Sequence, residues 1–339
     1  MNRLAVIVLN WNGADDTIEC MDSLIEQTYK KLDIILVDNK SSDNSVERFK
    51  NYISEKKSSH IILIENDVNS GFAGGINVGF KVAQQEKYDY IGILNPDAVA
   101  DKNCAAALVK VLDSHKDTGL VTGVLLRRDG QTIDSTGDWF SKWGLAFPRY
   151  RDEPREKAPT QEEYVFGATG GFVVYRTEMI QKIGGMDDDF FMYYEDVDLS
   201  FRAQLAGYKA RYTPDAIAYH KQGASTNKVP GLAVYNTFKN IPMLTLKNVP
   251  GSLLWTVLPR FLLAYKLMLF NAIVKGRGTP ALKGWWKSLL LLPSTLKKRG
   301  RIQKDIRVSP EYIRSILWDD LPPEQTGLRK FRKIFTGKS

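Results

Sequence analysis

Tyr194-Glu195-Asp196-Val197-Asp198-Leu199 places three carboxylates within four positions, directly after the aromatic run Phe190 to Tyr194. Carboxylates this close repel one another unless a cation, a proton or a substrate shares them. At a helix start the dipole offsets part of that repulsion, so an acidic first turn is one reading. The other is a general base for an acceptor hydroxyl, its pKa raised by its neighbours. Asn95-Pro96-Asp97 lies upstream, after the apolar run Tyr90–Leu94. Asn-Pro-Asp is common turn chemistry. It also suits a hard divalent cation, because Mg²⁺ needs only one or two carboxylates besides substrate phosphate. His220, one of three histidines, follows the apolar Ala216–Tyr219. A neutral imidazole suits Mn²⁺ better than Mg²⁺. An ion shared by Asp97 and His220 would stabilise the charge building on a departing diphosphate. A base working from the face opposite that diphosphate would invert the anomeric centre of a transferred sugar.

These residues need elements to position them. Leu4–Leu9 is a continuous apolar run ended by Asn10, Asn12 and Gly13, as for a buried strand. Asp15–Gln27 follows with helical spacing. Further strands are predicted at Leu32–Val37, His60–Ile64, Tyr88–Leu94 and Leu120–Leu126, with Ala73–Gln85 a helix. The alternation predicts an α/β fold, a mostly parallel sheet with helices on both faces. Ligands bind at the carboxyl ends of such strands. Asn10, Asp38, Asn66 and Asn95/Asp97 follow successive strands and so converge on one sheet edge. Asn69 to Gly79 is Gly-rich and opens a helix, but its spacing is not that of a dinucleotide fingerprint. It suits either a phosphate near a helix N-terminus or close helix–sheet packing. Thr132–Pro159 holds Trp139, Trp143 and Tyr150 without a period, and reads as a mobile excursion over the sheet edge. Its aromatics suit either stacking on an acceptor sugar or a core. Gly167 to Gly171 precedes a strand at Phe172–Tyr175. Short strands are expected at Lys209–Tyr212 and Ala216–Tyr219, around Pro214-Asp215, then a helix at Leu232–Leu246.

The 339 residues carry a net charge of +8, unevenly spread. Gly251–Ser339 holds 18 Lys and Arg against five Asp and Glu, while the rest is slightly acidic. The boundary is therefore expected at residue 250, with domains at 1–250 and 251–339. Leu253–Val274 is mostly apolar, but Pro259, Arg260 and Lys266 interrupt it. Each central Arg or Lys costs roughly 2.5–3.5 kcal/mol in a bilayer, which argues against a spanning helix. Trp285, Trp286 and Leu289–Leu292 beside Lys283 and Lys287 fit an in-plane helix on an anionic membrane. A helical subdomain or a homodimer interface is the competing use. No nucleic-acid-binding module is visible. Two cysteines and an initial apolar run too short for a signal peptide point to a reducing, cytoplasmic setting.

Together, the motifs from Val6 to about Ser225 resemble the family 2 inverting glycosyltransferases of GT-A fold. Val6-Ile7-Val8-Leu9-Asn10-Trp11-Asn12-Gly13 resembles the opening strand and loop of that family, and Val37-Asp38-Asn39 with Ser41-Ser42-Asp43 its base-binding segment. The resemblance implies a nucleotide-sugar site at Asn10, Asn12, Asp38, Asn69, Gly74, Asn77 and Asn95. It implies Asp196 as base with Glu195 beside it, and Mg²⁺ or Mn²⁺ on Asp97 and His220. It also implies an acceptor side at Gly170, Gly171, Trp139 and Asp198. Asn-Pro-Asp and Gly-Phe-Ala-Gly-Gly-Ile-Asn look like rhamnosyltransferase-like members. The implied reaction moves L-rhamnose from dTDP-rhamnose to a cell-surface glycan or lipid-linked saccharide, on the inner face of the membrane. UDP-linked galactofuranose, galactose or N-acetylglucosamine are the alternative donors. A non-catalytic scaffold for polysaccharide assembly and a sugar-phosphate nucleotidyltransferase are the competing readings. The second would want an Arg- and Lys-bearing loop after the first strand, where Asp15 and Asp16 stand instead.

Overall fold

The computed structural model describes residues 2–56, 60–221 and 229–321. It divides into two compact units, residues 1–138 with 148–228, and residues 139–147 with 229–339. The sequence places the change at residue 250; in the structure the helix that starts at Leu232 and a short hairpin already fall with the second unit.

The first unit opens with β1 (Leu4–Asn10), α1 (Ala14–Ile25), β2 (Leu32–Asp38), α2 (Ser45–Lys56), β3 (Ile61–Glu65) and α3 (Gly71–Gln85). It continues with β4 (Tyr90–Leu94), β5 (Ala98–Ala100), α4 (Cys104–Ser114), β6 (Thr118–Arg127) and β7 (Ile133–Ser135). Next in the chain comes the hairpin of β8 (Asp138–Phe140) and β9 (Ala146–Pro148), most of which belongs to the second unit. The remaining elements are β10 (Glu163–Val165), β11 (Phe172–Arg176), α5 (Thr177–Ile183), α6 (Glu195–Leu205) and β12 (Lys209–His220).

The main path of the sheet runs β10-β12-β6-β11-β4-β1-β2-β3. β1 pairs in parallel with β2 and β4, β2 with β3, and β6 with β12. β11 lies antiparallel between β4 and β6. Alternation along β1 explains the two layers. Leu4, Val6 and Val8 face a core with Met21, Phe49 and Leu108. Ala5, Ile7 and Leu9 face the other, with Ile76, Phe80 and Leu199. A Cβ at Gly75 or Gly79 would come within 2.4 and 2.7 Å of the Leu9 and Ile7 side chains. Those glycines let α3 lie close on β1.

Two expectations change. The pair of short strands around Pro214 is one strand, β12, whose register against β6 shifts between Tyr212 and Ile217. The irregular stretch 132–159 is a built part of the protein. β7 pairs with β6, and Arg149 and Arg151 bind the carbonyls of Thr136 and Asp134.

The second unit contains α7 (Leu232–Asn248), α8 (Gly251–Val274), α9 (Gly278–Leu290), α10 (Leu292–Lys304) and α11 (Pro310–Ile316). Gly284 of α9 sits so near α7 that a Cβ would be 2.3 Å from the Tyr235 carbonyl oxygen. The Tyr265 hydroxyl of α8 donates to the Phe238 carbonyl at 2.7 Å. Arg299 caps the end of α7 through the Leu246 and Val249 carbonyls. Despite Pro259, Arg260 and Lys266, α8 is long and apolar enough by length and composition to cross a membrane.

Candidate active site

Topology brings the first two candidates together. β5 pairs antiparallel with β12 and sets Ala98 opposite His220, so Asp97 arrives beside the imidazole. His220 Nε2 is 3.0 Å from Asp97 Oδ1 and 3.2 Å from the Asn95 amide nitrogen. On the far side of the ring, Nδ1 is 2.7 Å from Asp134 Oδ2. Asp134 is only 2% exposed, and its other oxygen accepts from Arg151 at 2.8 Å. Burial would lower the His220 pKa, but its hydrogen bonds to Asp134 and Asp97 prevail and raise it to about 9. The ring lies between the two carboxylates, one at each nitrogen. A divalent cation between Asp97 and Nε2 would take over the position of one proton, leaving Nδ1–H on Asp134. That is the carboxylate–histidine–metal arrangement. No group of three His, Cys, Asp or Glu side chains among the described residues is placed to hold an ion. Asp97 and His220 are two side chains that could hold Mg²⁺ or Mn²⁺ if substrate phosphate completed the set.

The carboxylate-rich segment is delivered by a strained approach. Phe191, Tyr193 and Tyr194 all have positive φ, at 62°, 70° and 71°. Each left-handed non-glycine residue costs roughly 1–2 kcal/mol, and such strain clusters at functional sites. α6 then begins with Glu195 buried and Asp196 half-buried. Asp196 Oδ2 accepts from Gly170 N at 2.7 Å, and Oδ1 from Val197 N at 2.8 Å. Burial raises its pKa, against the pull of those amides and of Arg151. Asp138, itself buried, is pushed well up by burial and by the Asp196 charge. The Tyr175 hydroxyl, in the field of the same acids, has no hydrogen-bond partner among the described residues.

One dipeptide links the two halves. Gly170 binds Asp196, while the Gly171 carbonyl accepts from Asn95 N at 2.9 Å. A Cβ on Gly170 would be 3.0 Å from Asp196 Cβ, and one on Gly171 would be 2.6 Å from Asn95 Nδ2. Only residues without side chains let the start of α6 and the Asn-Pro-Asp turn approach the same backbone.

The other strand ends form a polar lattice. Asn10 donates to Asp38 Oδ2 at 2.8 Å and Ser41 Oγ at 3.0 Å, and accepts from Thr17 at 2.8 Å. Asp38 also accepts from Ser41 N at 2.9 Å. Asn12 holds the following loop by accepting from Ser42 N at 2.7 Å. Asn39 donates to Asn69 Oδ1 at 3.1 Å and to the Gly71 carbonyl at 2.9 Å.

Several of the expected site residues are engaged elsewhere in the fold. Asn77 does not line the strand ends with a free amide: it donates to the Met186 carbonyl and Asp188, and accepts from Met186 N. It clamps the loop before α6 onto α3. Gly74 serves packing in the first turn, where a Cβ would be 2.5 Å from Ser70 Cβ. Asp198, expected on the acceptor side, faces the interior. It is fully buried and paired at 2.9 Å with Arg202, whose guanidinium binds the carbonyls of Ile183 and Gly185. Trp139 falls in the second unit, stacked on Trp318 with ring centroids 4.3 Å apart. Asp134 and Asp138 escaped the sequence reading. Their only signal is two acids spaced four apart in an aperiodic stretch.

Residues 5–184 match the family described as Glycosyl transferase family 2. Poly-beta-1,6-N-acetyl-D-glucosamine synthase of Staphylococcus aureus is 24% identical over 222 residues, 65% of this chain and 50% of that protein. Its counterpart in Staphylococcus epidermidis is 22% identical over 219 residues, 64% of this chain and 49% of that protein. The chain thus spans about half the length of these relatives. Among solved structures, GalNAc-T7 with UDP, GalNAc and Mn²⁺ superposes with a TM-score of 0.58 and 17% identity, over 73% of this chain and 48% of that one. The mannosyltransferase PcManGT of Pyrobaculum calidifontis, with GDP-Man and Mn²⁺, gives a TM-score of 0.55 and 17% identity, over 93% and 86%. The fold is that of these GT-A proteins.

Proposed function

The chain belongs to glycosyltransferase family 2, and from that premise we propose that its first unit moves a sugar from a nucleoside-diphosphate donor to a hydroxyl, with inversion. The observation that carries this reading is the Gly170-Gly171 dipeptide, which brings Asp196 and the Asn95–Asp97 turn to one stretch of backbone.

Asp196 is the base. Its raised pKa suits proton uptake from the acceptor hydroxyl, and the Gly170 amide aims the carboxylate. Asp97 and His220 would hold Mg²⁺ or Mn²⁺, which when bound supplies charge neutralisation for the leaving diphosphate. Asp134 keeps the proton on Nδ1, so that Nε2 is free to ligate. Arg151 in turn donates to the other oxygen of Asp134. Asn10, Asp38 and Asn12 shape the loop that cradles the nucleotide, and Asn39 with Asn69 sets the start of α3 beside it. Glu195 precedes Asp196, buried at the first position of α6.

The donor is ranked by the relatives. A poly-N-acetylglucosamine synthase and a UDP-bound neighbour favour a UDP-linked N-acetylhexosamine over dTDP-rhamnose. The same relatives favour a glycan acceptor, free or lipid-linked, in polysaccharide assembly. The test is donor turnover by the full chain across UDP-N-acetylglucosamine, UDP-galactose, dTDP-rhamnose and GDP-mannose, with Mn²⁺ or Mg²⁺ and then with EDTA. Turnover of one donor that EDTA abolishes and metal restores is the expected result. Binding of none, with or without metal, would overturn the reading in favour of a scaffold.

A further inference from the structure

α9 is amphipathic in an inverted sense. It buries its small residues, Ala281, Gly284 and Ser288, and exposes Leu282, Trp285, Trp286, Leu289 and Leu290. The exposed set recurs at intervals of three and four and forms one stripe. Trp286 is 58% exposed, although a Trp indole is among the most favourable groups to bury. α8 repeats the arrangement. Leu253, Val257, Phe261, Ala264 and Tyr265 face the unit's own core. Trp255, Leu262, Phe270 and Ile273 lie outward along the opposite side, Trp255 at 86% exposure. Contiguous exposed apolar surface of this kind marks an interaction site.

Charge identifies what covers it. Between Asp215 and Asp305 the chain has no Asp or Glu, and it has fifteen Lys and Arg. Lys266, Lys275, Arg277, Lys283, Lys287 and Lys297 are all exposed. Lys283 and Lys287 border the α9 stripe, and Lys266 stands within that of α8. A second copy meeting the same face would set these cations against their own equivalents. An anionic lipid surface meets them with opposite charge and takes the tryptophans at headgroup level.

We propose that the α8–α9 face docks in the plane of an anionic membrane, its apolar stripes at the acyl boundary and its lysines on the headgroups. α8 does not span. Its inner face is already engaged with the unit's core, and Arg260 and Lys266 would lie near the middle of a span, whereas Lys266 can snorkel from an in-plane helix. The proposal does not rest on the transferase reading.

The test is sedimentation of the full chain with vesicles of phosphatidylcholine alone or mixed with phosphatidylglycerol, at low and high salt. Binding to the anionic vesicles only, released by salt, is expected. Lys283→Gln with Lys287→Gln should weaken it about thirtyfold at low salt, at roughly 1 kcal/mol per cation. Trp285→Ser with Trp286→Ser should abolish it, with the circular dichroism spectrum and donor turnover unchanged. No binding, equal binding to both vesicle types, or bound protein that resists alkaline extraction as a spanning protein does would overturn the proposal. So would a concentration-dependent dimer that the tryptophan variant dissolves while vesicles capture nothing. Turnover on a soluble acceptor reports separately on the transferase reading, so either can fail alone.

Discussion

In the sheet unit polar side chains at the strand ends are buried; in the helical unit several large apolar side chains are exposed. Asn10, Asp38, Asn39 and Asp134 are each almost fully covered, and each is held by hydrogen bonds to its neighbours. Such groups are costly to bury unless every bond is made, so a lattice of this kind fixes geometry. Trp255, Phe270 and Trp286 stand in the open with no such pairing to gain. On the readings proposed above, the sheet unit would hold a small ligand to a set orientation, whereas the helical unit would offer area and charge to a surface whose atoms need no fixed position.

If the sheet lattice exists to hold an ion and a diphosphate, losing a ligand should do the most damage. His220→Ala should weaken Mn²⁺ binding, read by electron paramagnetic resonance of the free ion, by more than the roughly 10–100-fold of outer-shell losses. Asp134→Asn should fall within that range, because an amide can donate to Nδ1 and drive the proton onto the ligating nitrogen. Unchanged Mn²⁺ affinity in both variants would leave the lattice as mere scaffolding and dissolve the contrast. The helical unit is sharpened by a pair of substitutions on one helix. Gly284→Ala drives a methyl into the Tyr235 carbonyl and should cost about 1–3 kcal/mol of stability or more. Trp286→Ser, two residues away in sequence but on the bare face, should change stability by no more than about 0.5 kcal/mol. Thermal denaturation compares them directly; a large loss for Trp286→Ser would mean that the stripe is core.

The pH dependence of transfer at saturating metal and donor bears on Asp196. Its folded pKa is raised, so the carboxylate form that accepts a proton is lost as pH falls through a value above the ordinary Asp range of about 3.9. Transfer should decline on acidification at a pH where donor binding still holds. A rate that stays level down to ordinary carboxylate pKa values would contradict that environment for the base.

Much of the sheet was legible because β1, β2 and β4 are buried on both faces and read as unbroken apolar runs ended by polar residues. The same endings pointed to Asp97 and His220. Pairing between distant segments was not legible. β11 enters antiparallel between β4 and β6 on contacts that no local pattern announces. Pro214-Asp215 read as a break because a register shift in β12 absorbs them without ending the strand. Asp134 lies 86 positions from the imidazole it orients, in a stretch whose three-residue strand is too short to show a period. Asp198 misled for the opposite reason. It shares a motif with Asp196, but two positions along a helix turn it to the buried side, where Arg202 waits. Along α9 the stripe itself was visible in the sequence; that its small face is the inner one follows from the close approach at Gly284.

The most direct measurement of the central claim is acceptor-dependent transfer by Asp196→Asn beside its affinity for the donor in the presence of Mn²⁺. The substitution keeps the shape of the side chain and its acceptor for the Gly170 amide while removing the basic oxygen. Donor affinity should stay within a few-fold of the unsubstituted protein, and transfer should fall by roughly 10²–10⁴-fold, the usual contribution of a general base. Transfer at the original rate with a donor of verified identity would contradict the assignment of Asp196, and with it the joining of the two motifs into one site.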